Sequence, residues 1–223
     1  MLNKQLISHN LNTDSFNDAY KAREKLIRQR GDLEDISVDE QIELLACLAE
    51  FQFGRYLIEH QGLNGYWTQY MVRHPKCRAA PGLDAYGRPL LPLERFLLEE
   101  APIILATQQR GEIFQKLLQG KMTDHAQFAS LPCGLMYDLA SLKPALNFKA
   151  YGIDLDQAAL DLAVKVAQAY SVDAELICED AWQLSLTNTL DVLCSNGLTI
   201  YEPDDDRVQV FYQKCYQALK PNG

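Results

Sequence analysis

The chain has 223 residues, of which 48% are hydrophobic and 23% are charged, as is ordinary for a globular protein. Its formal net charge of −9 argues against non-specific binding to nucleic acid or to anionic membranes, so we expect a small-molecule or protein substrate. Residues 1–10 lack an apolar stretch, and no apolar run reaches the roughly 18 residues of a membrane helix, so the sequence indicates neither a conventional secretion signal nor a membrane span.

The cysteine pattern argues against a metal site. The chain contains no C-x-x-C pair and no cysteine and histidine cluster at zinc-ligand spacing. Several cysteines lie in predicted strands or amphipathic helices, where a free thiol acts as a small apolar side chain. We therefore expect reduced thiols and a cytoplasmic location. The cysteines are Cys47, Cys77, Cys133, Cys178, Cys194 and Cys215.

The first part of the chain has helical periodicity. Between residues 14 and 30 the apolar residues are mostly three or four apart with charges between them, which predicts an amphipathic helix that ends at Gly31. The sequence Ser37-Val38-Asp39-Glu40 is typical of a capping box and predicts a second helix that runs to about Glu59.

An aromatic helix and an irregular connection follow. Four residues share one face of the next predicted helix: Tyr66, Trp67, Tyr70 and Met71. Proline disfavours helical geometry in the residue before it, so we expect this helix to stop near His74-Pro75. Residues 76–92 contain five prolines and glycines and predict an irregular connection. Helical spacing resumes at Leu93 and again from Pro102 to about Leu118.

Beyond residue 120 the pattern changes to strands that alternate with helices. Each of four short apolar segments is followed by a polar or glycine-containing loop, and amphipathic helices lie between the first three segments. This alternation predicts a parallel, doubly wound sheet, in which ligands bind beyond the carboxyl ends of the strands. The four segments are residues 128–131, 148–153, 174–178 and 190–194.

The strand ends carry residues suited to an adenosyl ligand. Gly134, after the first strand, permits a close approach between the backbone and a ligand. Asp154 follows Gly134 by 20 positions, about where an acid binds two ribose hydroxyls. Asp180 after the third strand, with Ala181 and the flat ring of Trp182, is a candidate adenine site.

Five stretches, in the same order along the chain, resemble the class I S-adenosylmethionine-dependent methyltransferases. They correspond to the first cofactor loop, the ribose-binding strand end, the adenine loop, the strand beside the transferable methyl, and the helix end before a fifth strand. The stretches are Leu131-Pro132-Cys133-Gly134, Tyr151–Asp156, Glu179-Asp180-Ala181-Trp182, Asp191–Leu198 and Tyr216–Gly223.

The resemblance implies S-adenosylmethionine as cofactor and a role for each matching residue. The first loop would hold the methionine portion, the second strand end the ribose, the third loop the adenine, and the fourth loop the edge near the sulfur. The corresponding residues are Leu131, Pro132, Cys133 and Gly134; Asp154 and Leu155; Asp180, Ala181 and Trp182; and Ser195, Asn196 and Gly197.

The first loop departs from the pattern of the family. An acidic residue and three glycines normally occupy it, whereas Ser130, Pro132, Gly134 and Met136 stand at these positions here. Replacing glycine forbids some backbone conformations and crowds a ligand, so cofactor binding is expected to be reshaped, weakened or lost.

The predicted architecture is α/β, a Rossmann-like doubly wound parallel sheet preceded by an all-helical N-terminal domain. We place a helical substrate or lid domain at residues 1–120 and an S-adenosylmethionine-binding domain at residues 121–223. A hydroxyl or imidazole on the aromatic helix is suited to orient an acceptor or take its proton, which makes Tyr66, Tyr70 and His74 candidates. Such an aromatic face is also typical of a core.

Where the chain reaches Gly223, the fold of the family it resembles goes on to a fifth strand. A central strand without its neighbour exposes unpaired backbone groups, so we expect a truncated chain, a partner or second copy that completes the sheet, or an altered fold. The acids Asp204–Asp206 resemble a metal cluster but fit better at a helix N-terminus, where they complement the helix dipole.

The sequence therefore predicts an enzyme, a methyltransferase that acts on a small molecule by direct displacement at the methyl carbon. One alternative is a methyltransferase-like binding or scaffold protein without turnover. A second is a nicotinamide-dependent oxidoreductase, which is disfavoured because the G-x-G-x-x-G motif is absent.

Overall fold

The computed structural model describes residues 15–142 and 147–223. Within these ranges the chain divides into two compact units, a helical unit of residues 15–63 and 70–108, and a sheet unit of residues 64–69, 109–142 and 147–223. The sequence placed the boundary near residue 120; the units divide earlier because Phe114 and Leu118 pack into the core of the sheet unit. The roles assigned to the two domains stay predictions, and the N-terminal ten residues lie outside the described part.

The helices before the sheet begin and end largely where the sequence predicts. Ser15 caps α1, Gly31 ends it with φ at 84°, and Ser37 with Glu40 forms the predicted capping box of α2. The bounds are α1 Phe16–Arg30, α2 Val38–Leu48, α3 Gln52–His60, α4 Gly65–Cys77, α5 Pro92–Glu99 and α6 Pro102–Gly120.

The second predicted helix is in fact two, α2 and α3, and the prediction of one helix was wrong. The chain turns between Leu48 and Gln52, with Phe51 and Phe53 both buried. Gly54 lies so close to the end of α2 that a β-carbon there would stand 2.1 Å from the carbonyl oxygen of Leu48. The break buries two phenylalanines, and only glycine permits this approach of the two helices.

Helix α4 does not stop at Pro75 but continues through it, which corrects the predicted helix end. A proline in a helix leaves the carbonyl four residues earlier without its usual donor. Here that carbonyl belongs to Met71, and the buried side chain of Gln108 donates to it at 3.1 Å and to the carbonyl of Leu98 at 2.9 Å. A side chain distant in sequence therefore replaces the missing backbone hydrogen bond.

The sheet unit has the predicted parallel sheet. Among the described residues it contains four strands in the order β3-β2-β1-β4, and all three strand pairs are parallel. The strands are β1 Ala126–Ser130, β2 Phe148–Asp154, β3 Asp173–Cys178 and β4 Val192–Cys194, and the helices after β1, β2 and β4 are α7 Tyr137–Ala140, α8 Gln157–Ala169 and α9 Asp205–Ala218.

Neighbouring residues of a strand point to opposite faces of the sheet, and helices cover both faces here. Phe128 packs in a cluster with Leu160 of α8, whereas Ala129 packs in another with Phe211 of α9. Near β4, Leu190 forms a parallel bridge with Leu219, the residue that follows α9. None of the helices in the described residues has the length and apolar character needed to cross a bilayer.

Candidate functional site

Strand register brings the ends of β1, β2 and β4 to one edge of the sheet. Ser130 pairs with Gly152 on one side and with Cys194 on the other. The loop after β1 is tied to both neighbours, since the Leu131 N–H donates to the Cys194 carbonyl and the Cys133 N–H to the Ile153 carbonyl, each at 2.9 Å. This loop is therefore held rigidly between the ends of two strands.

Asp154, at the end of β2, joins that loop to the start of α8. One carboxylate oxygen accepts from the Gly134 N–H at 2.8 Å, and the other accepts from the Asp156 N–H at 3.0 Å. Asp156 in turn caps α8, and Leu155 between them is exposed. The predicted ribose acid and the predicted loop glycine are therefore in direct contact.

Met136 stands where the family has a glycine, and its side chain packs into the core of the sheet unit. Its backbone adopts the left-handed conformation with φ at 57°, and its side chain is fully buried in the sheet core. The space beneath it is provided by Gly152, where a β-carbon would lie 2.9 Å from the Met136 sulfur and 3.1 Å from the Cys133 sulfur. Pro132, which follows Leu131 through a cis peptide bond, is half-buried.

Asp138 is a site residue that the sequence interpretation missed. Ser130, which stands at the usual position of the acid, donates from its hydroxyl to Asp138 at 2.5 Å, and the Cys194 thiol lies 3.5 Å from the same oxygen. Burial raises the pKa of Asp138 against the lowering effect of these hydrogen bonds. A serine at the strand end with an aspartate eight residues later was the only signal available in the sequence.

The buried thiols at this edge are not nucleophiles. Burial, and then the nearby charge of Asp138, raises the pKa of Cys194 well above its ordinary value. Burial and the charges of Asp154 and Asp138 likewise raise the pKa of Cys133. Since the thiolate is the reactive form, both side chains act as packing groups at neutral pH.

The predicted adenine loop follows β3 and lies beside Asp154. The Glu179 N–H donates to the Asp154 carbonyl at 3.1 Å, and Asp180 accepts from the Trp182 N–H at 3.0 Å, which closes a short helical turn that buries Ala181. The Trp182 ring packs on α9: its indole N–H donates to the carbonyl of Arg207 at 2.9 Å, and the Phe211 ring centre lies 5.6 Å away. Adenine binding by this loop stays a prediction.

The loop after β4 is fixed by acidic side chains. Gly197 adopts φ of 88° in this loop, between the half-buried Ser195 and the start of a short helical turn, and Asn196 is exposed. The buried carboxylate of Glu202 bonds to Arg207 at 2.7 Å. Asp204 caps α9, which confirms the predicted helix start at these acids.

No group of three or more potential metal ligands occurs in the part of the chain that the structure describes.

The predicted acceptor-binding residues do not share one environment. Tyr66 is 47% exposed and belongs to the sheet unit. Tyr70 belongs to the helical unit and donates from its hydroxyl to Glu94 at 3.0 Å. His74, in the same unit, is buried and lies 3.0 Å from a carboxylate oxygen of Glu99. These contacts hold Tyr70 and His74 in packing, and a role in proton transfer stays a prediction.

A comparison with protein families identifies the sheet unit. The family model described as a methyltransferase domain matches residues 129–223, from the middle of β1 onward. Over this segment, which is somewhat less than half of the chain, the sequence therefore matches a methyltransferase domain. The methyltransferase domain thus contains the contact between Asp154 and Gly134 and the loops after β3 and β4.

Solved structures show how much of this chain is similar to other proteins. A crystal structure described as a possible exported protein from Bordetella parapertussis is 36% identical, covers 95% of this chain and 71% of its own, and has a TM-score of 0.83. It is therefore a relative over nearly the whole chain, helical part included.

Two further structures match about half of the chain. A putative S-adenosyl-L-methionine-dependent methyltransferase from Methanococcus maripaludis is 16% identical, with a TM-score of 0.42 over 51% of this chain and 52% of that one. An S-adenosylmethionine-dependent methyltransferase from Clostridium acetobutylicum is 20% identical, with a TM-score of 0.41 over 51% of this chain and 46% of that one. No protein of curated function matches the sequence.

Proposed function

We propose that the chain transfers a methyl group from S-adenosylmethionine to a small molecule. The observation that carries the proposal is the hydrogen bond between the Asp154 carboxylate and the Gly134 N–H, which joins the first loop to the ribose-type acid within a methyltransferase domain. S-adenosylmethionine supplies the reactive methyl group. The chain's own residues position the two reactants and exclude water, which requires no nucleophilic side chain.

The ribose end of the site fits this ligand. A carboxylate has about four acceptor positions, and backbone N–H groups take two of those on Asp154. Two positions remain, as many as the two ribose hydroxyls require. The existing bonds also fix the carboxylate in place, so little side-chain entropy is lost when a ligand binds.

The remaining cofactor-binding roles are assigned to the loops after the strands. The loop from Leu131 to Gly134 would bind the methionine portion, Asp180 and Ala181 the adenine, and the loop from Ser195 to Gly197 would border the sulfur. Met136 is compatible with the first of these assignments, because its side chain lies in the core of the sheet unit. Tyr66 remains the acceptor-side candidate with an exposed ring.

Calorimetric titration with S-adenosylhomocysteine tests the proposal. We expect Asp154→Ala to weaken binding at least about tenfold, since hydrogen bonds to a charged group are worth roughly 1.5–3 kcal/mol each. The matched control is Asp173→Ala, which removes an exposed aspartate from the opposite end of a strand and should leave binding unchanged. Equal affinity in wild type and Asp154→Ala would refute the ribose assignment.

A second candidate is a methyltransferase-like binding or scaffold protein without turnover. It is favoured by the altered first loop, with Ser130, Pro132 and Met136 at family positions, and by the contacts of the Trp182 ring with α9. Failure of the wild-type chain to bind S-adenosylmethionine or S-adenosylhomocysteine in the same titration would favour this candidate.

The cellular setting belongs to the same proposal. All six cysteines are free, which suits a reducing cytoplasm. The relative from Bordetella parapertussis is described as a possible exported protein, so fractionation of the expressing cells is the direct test, and recovery outside the cytoplasm would refute this part.

We further propose a small-molecule partner rather than nucleic acid or membrane, on the basis of the net charge of −9. A partner or second copy that completes the sheet stays a prediction.

A further inference from the structure

The backbone of α4 touches the first loop of the methyltransferase domain at a pair of glycines. A β-carbon on Gly65 would lie 2.8 Å from the α-carbon of Gly134 and 3.3 Å from its carbonyl carbon. In the other direction, a β-carbon on Gly134 would lie 3.3 Å from the α-carbon of Gly65. Both glycines belong to the sheet unit, because the α4 start segment, residues 64–69, is part of that unit.

The α4 start segment has a defined conformation. The Asn64 side-chain oxygen accepts from the Trp67 N–H at 3.0 Å, and the Asn64 carbonyl accepts from the Thr68 N–H at 3.0 Å. These bonds close the first turn of α4. Gly65 is thereby placed at the point of contact, with the exposed ring of Tyr66 next to it.

The loop on the other side of the contact is also unable to retreat. Gly134 is bound through its N–H to Asp154, and its φ of 50° lies in the region that favours glycine. The next residue, Leu135, is buried against Ala140, Ala159 and Val166, and its Cδ1 atom would lie 3.2 Å from a β-carbon on Gly65. An added methyl group therefore has to displace the α4 start segment rather than the loop.

We propose that Gly65 is a positioning residue for cofactor binding, whose lack of a side chain lets the α4 start segment close directly on the cofactor loop. The inference rests on the proposed function. Gly134 is the glycine expected to permit close approach of a ligand, and the segment that approaches it closely is the chain's own. The α4 start segment covers the methionine end of the site, excludes water from it, and delays ligand release.

The test is the substitution Gly65→Ala, with Gly120→Ala as the matched control. Both change a glycine in a helix of the sheet unit, but a β-carbon on Gly120 has no atom within 4 Å. In titration with S-adenosylhomocysteine, we expect Gly65→Ala to weaken binding at least about tenfold, mostly through faster dissociation, since overpacking of this size is costly. Gly120→Ala should bind like wild type.

Two readouts separate positioning from a loss of folding. Thermal unfolding of the unliganded Gly65→Ala variant should remain one cooperative transition above the temperature of the titration, which shows that the variant is folded when binding is measured. Hydrogen exchange on the wild-type chain, which needs no variant, should show the amides of residues 64–69 protected on addition of S-adenosylhomocysteine. Absence of binding by wild type would refute the proposed function and this inference with it. Binding by wild type with equal affinity in Gly65→Ala, or with unchanged exchange in the α4 start segment, would refute only the inference.

Discussion

Replacing Glu99 by glutamine should lower the free energy of unfolding of the helical unit by about 3 kcal/mol at pH 7. The Glu99 side chain is 7% exposed, and it accepts from Arg78 at 2.7 Å and from the Gly82 N–H at 2.9 Å, with His74 at 3.0 Å. Burial by itself raises the pKa of Glu99, but the hydrogen bonds from His74, Gly82 and Arg78 outweigh it and lower the pKa from 4.5 to about 2.

The magnitude follows from that lowered pKa. A fall from 4.5 to about 2 corresponds to about 3 kcal/mol of stabilisation of the ionised form in the folded state. Because the pKa is lower in the folded state, this stabilisation is fully present above pH 4.5 and is lost as the pH falls through 2. Glutamine resembles the protonated acid, so the difference between Glu99→Gln and wild type should shrink over the same range.

Urea unfolding followed by far-UV circular dichroism, at pH 7 and at pH 3, measures this difference. The control is Glu100→Gln, one residue further along and 54% exposed, which should change stability by less than about 0.5 kcal/mol. A loss in Glu99→Gln that equals the loss in the control, or that is as large at pH 3 as at pH 7, would refute the reasoning.

Two further substitutions test the packing of the candidate site. Gly152→Ala should lower the free energy of unfolding by about 1–3 kcal/mol in thermal melts, because its β-carbon would lie 2.5 Å from the partly buried Leu176 side chain and also meet the buried Met136 and Cys133 side chains; a melting temperature equal to that of Gly120→Ala would contradict this. Asp138→Asn should raise stability at pH 8 and leave it unchanged at pH 3, because a raised pKa means that ionisation of Asp138 opposes folding as the pH rises; a lower stability at pH 8 would show that the charge is needed.

The strands and most helices were predictable because their signals are local. Short buried runs of β-type residues followed by glycine or aspartate marked β1 and β2, and the capping box at Ser37 marked the start of α2. The edge of the sheet where Asp154 and Gly134 meet was also predictable, since the carboxyl ends of parallel strands share one edge.

The errors in the helices involve contacts between one element and another. The continuation of α4 through Pro75 depends on the amide of Gln108, which lies 37 positions from Met71. The break before α3 depends on the approach of Gly54 to the end of α2. The residue pattern within one helix does not predict such contacts. The replacement hydrogen bond and the close approach form only when the elements pack together.

The sequence by itself determined a parallel α/β sheet, its strand ends, and the position of Asp154 at one of those ends, since buried strands and chain turns have characteristic local residue patterns. The tertiary structure decided how the altered first loop is accommodated. Met136 enters the core because Gly152 leaves room for it, Ser130 is bonded to Asp138, and Gly65 closes on Gly134. Each of these depends on two segments meeting at van der Waals distance, and the free energy of such a contact exists only in the folded chain.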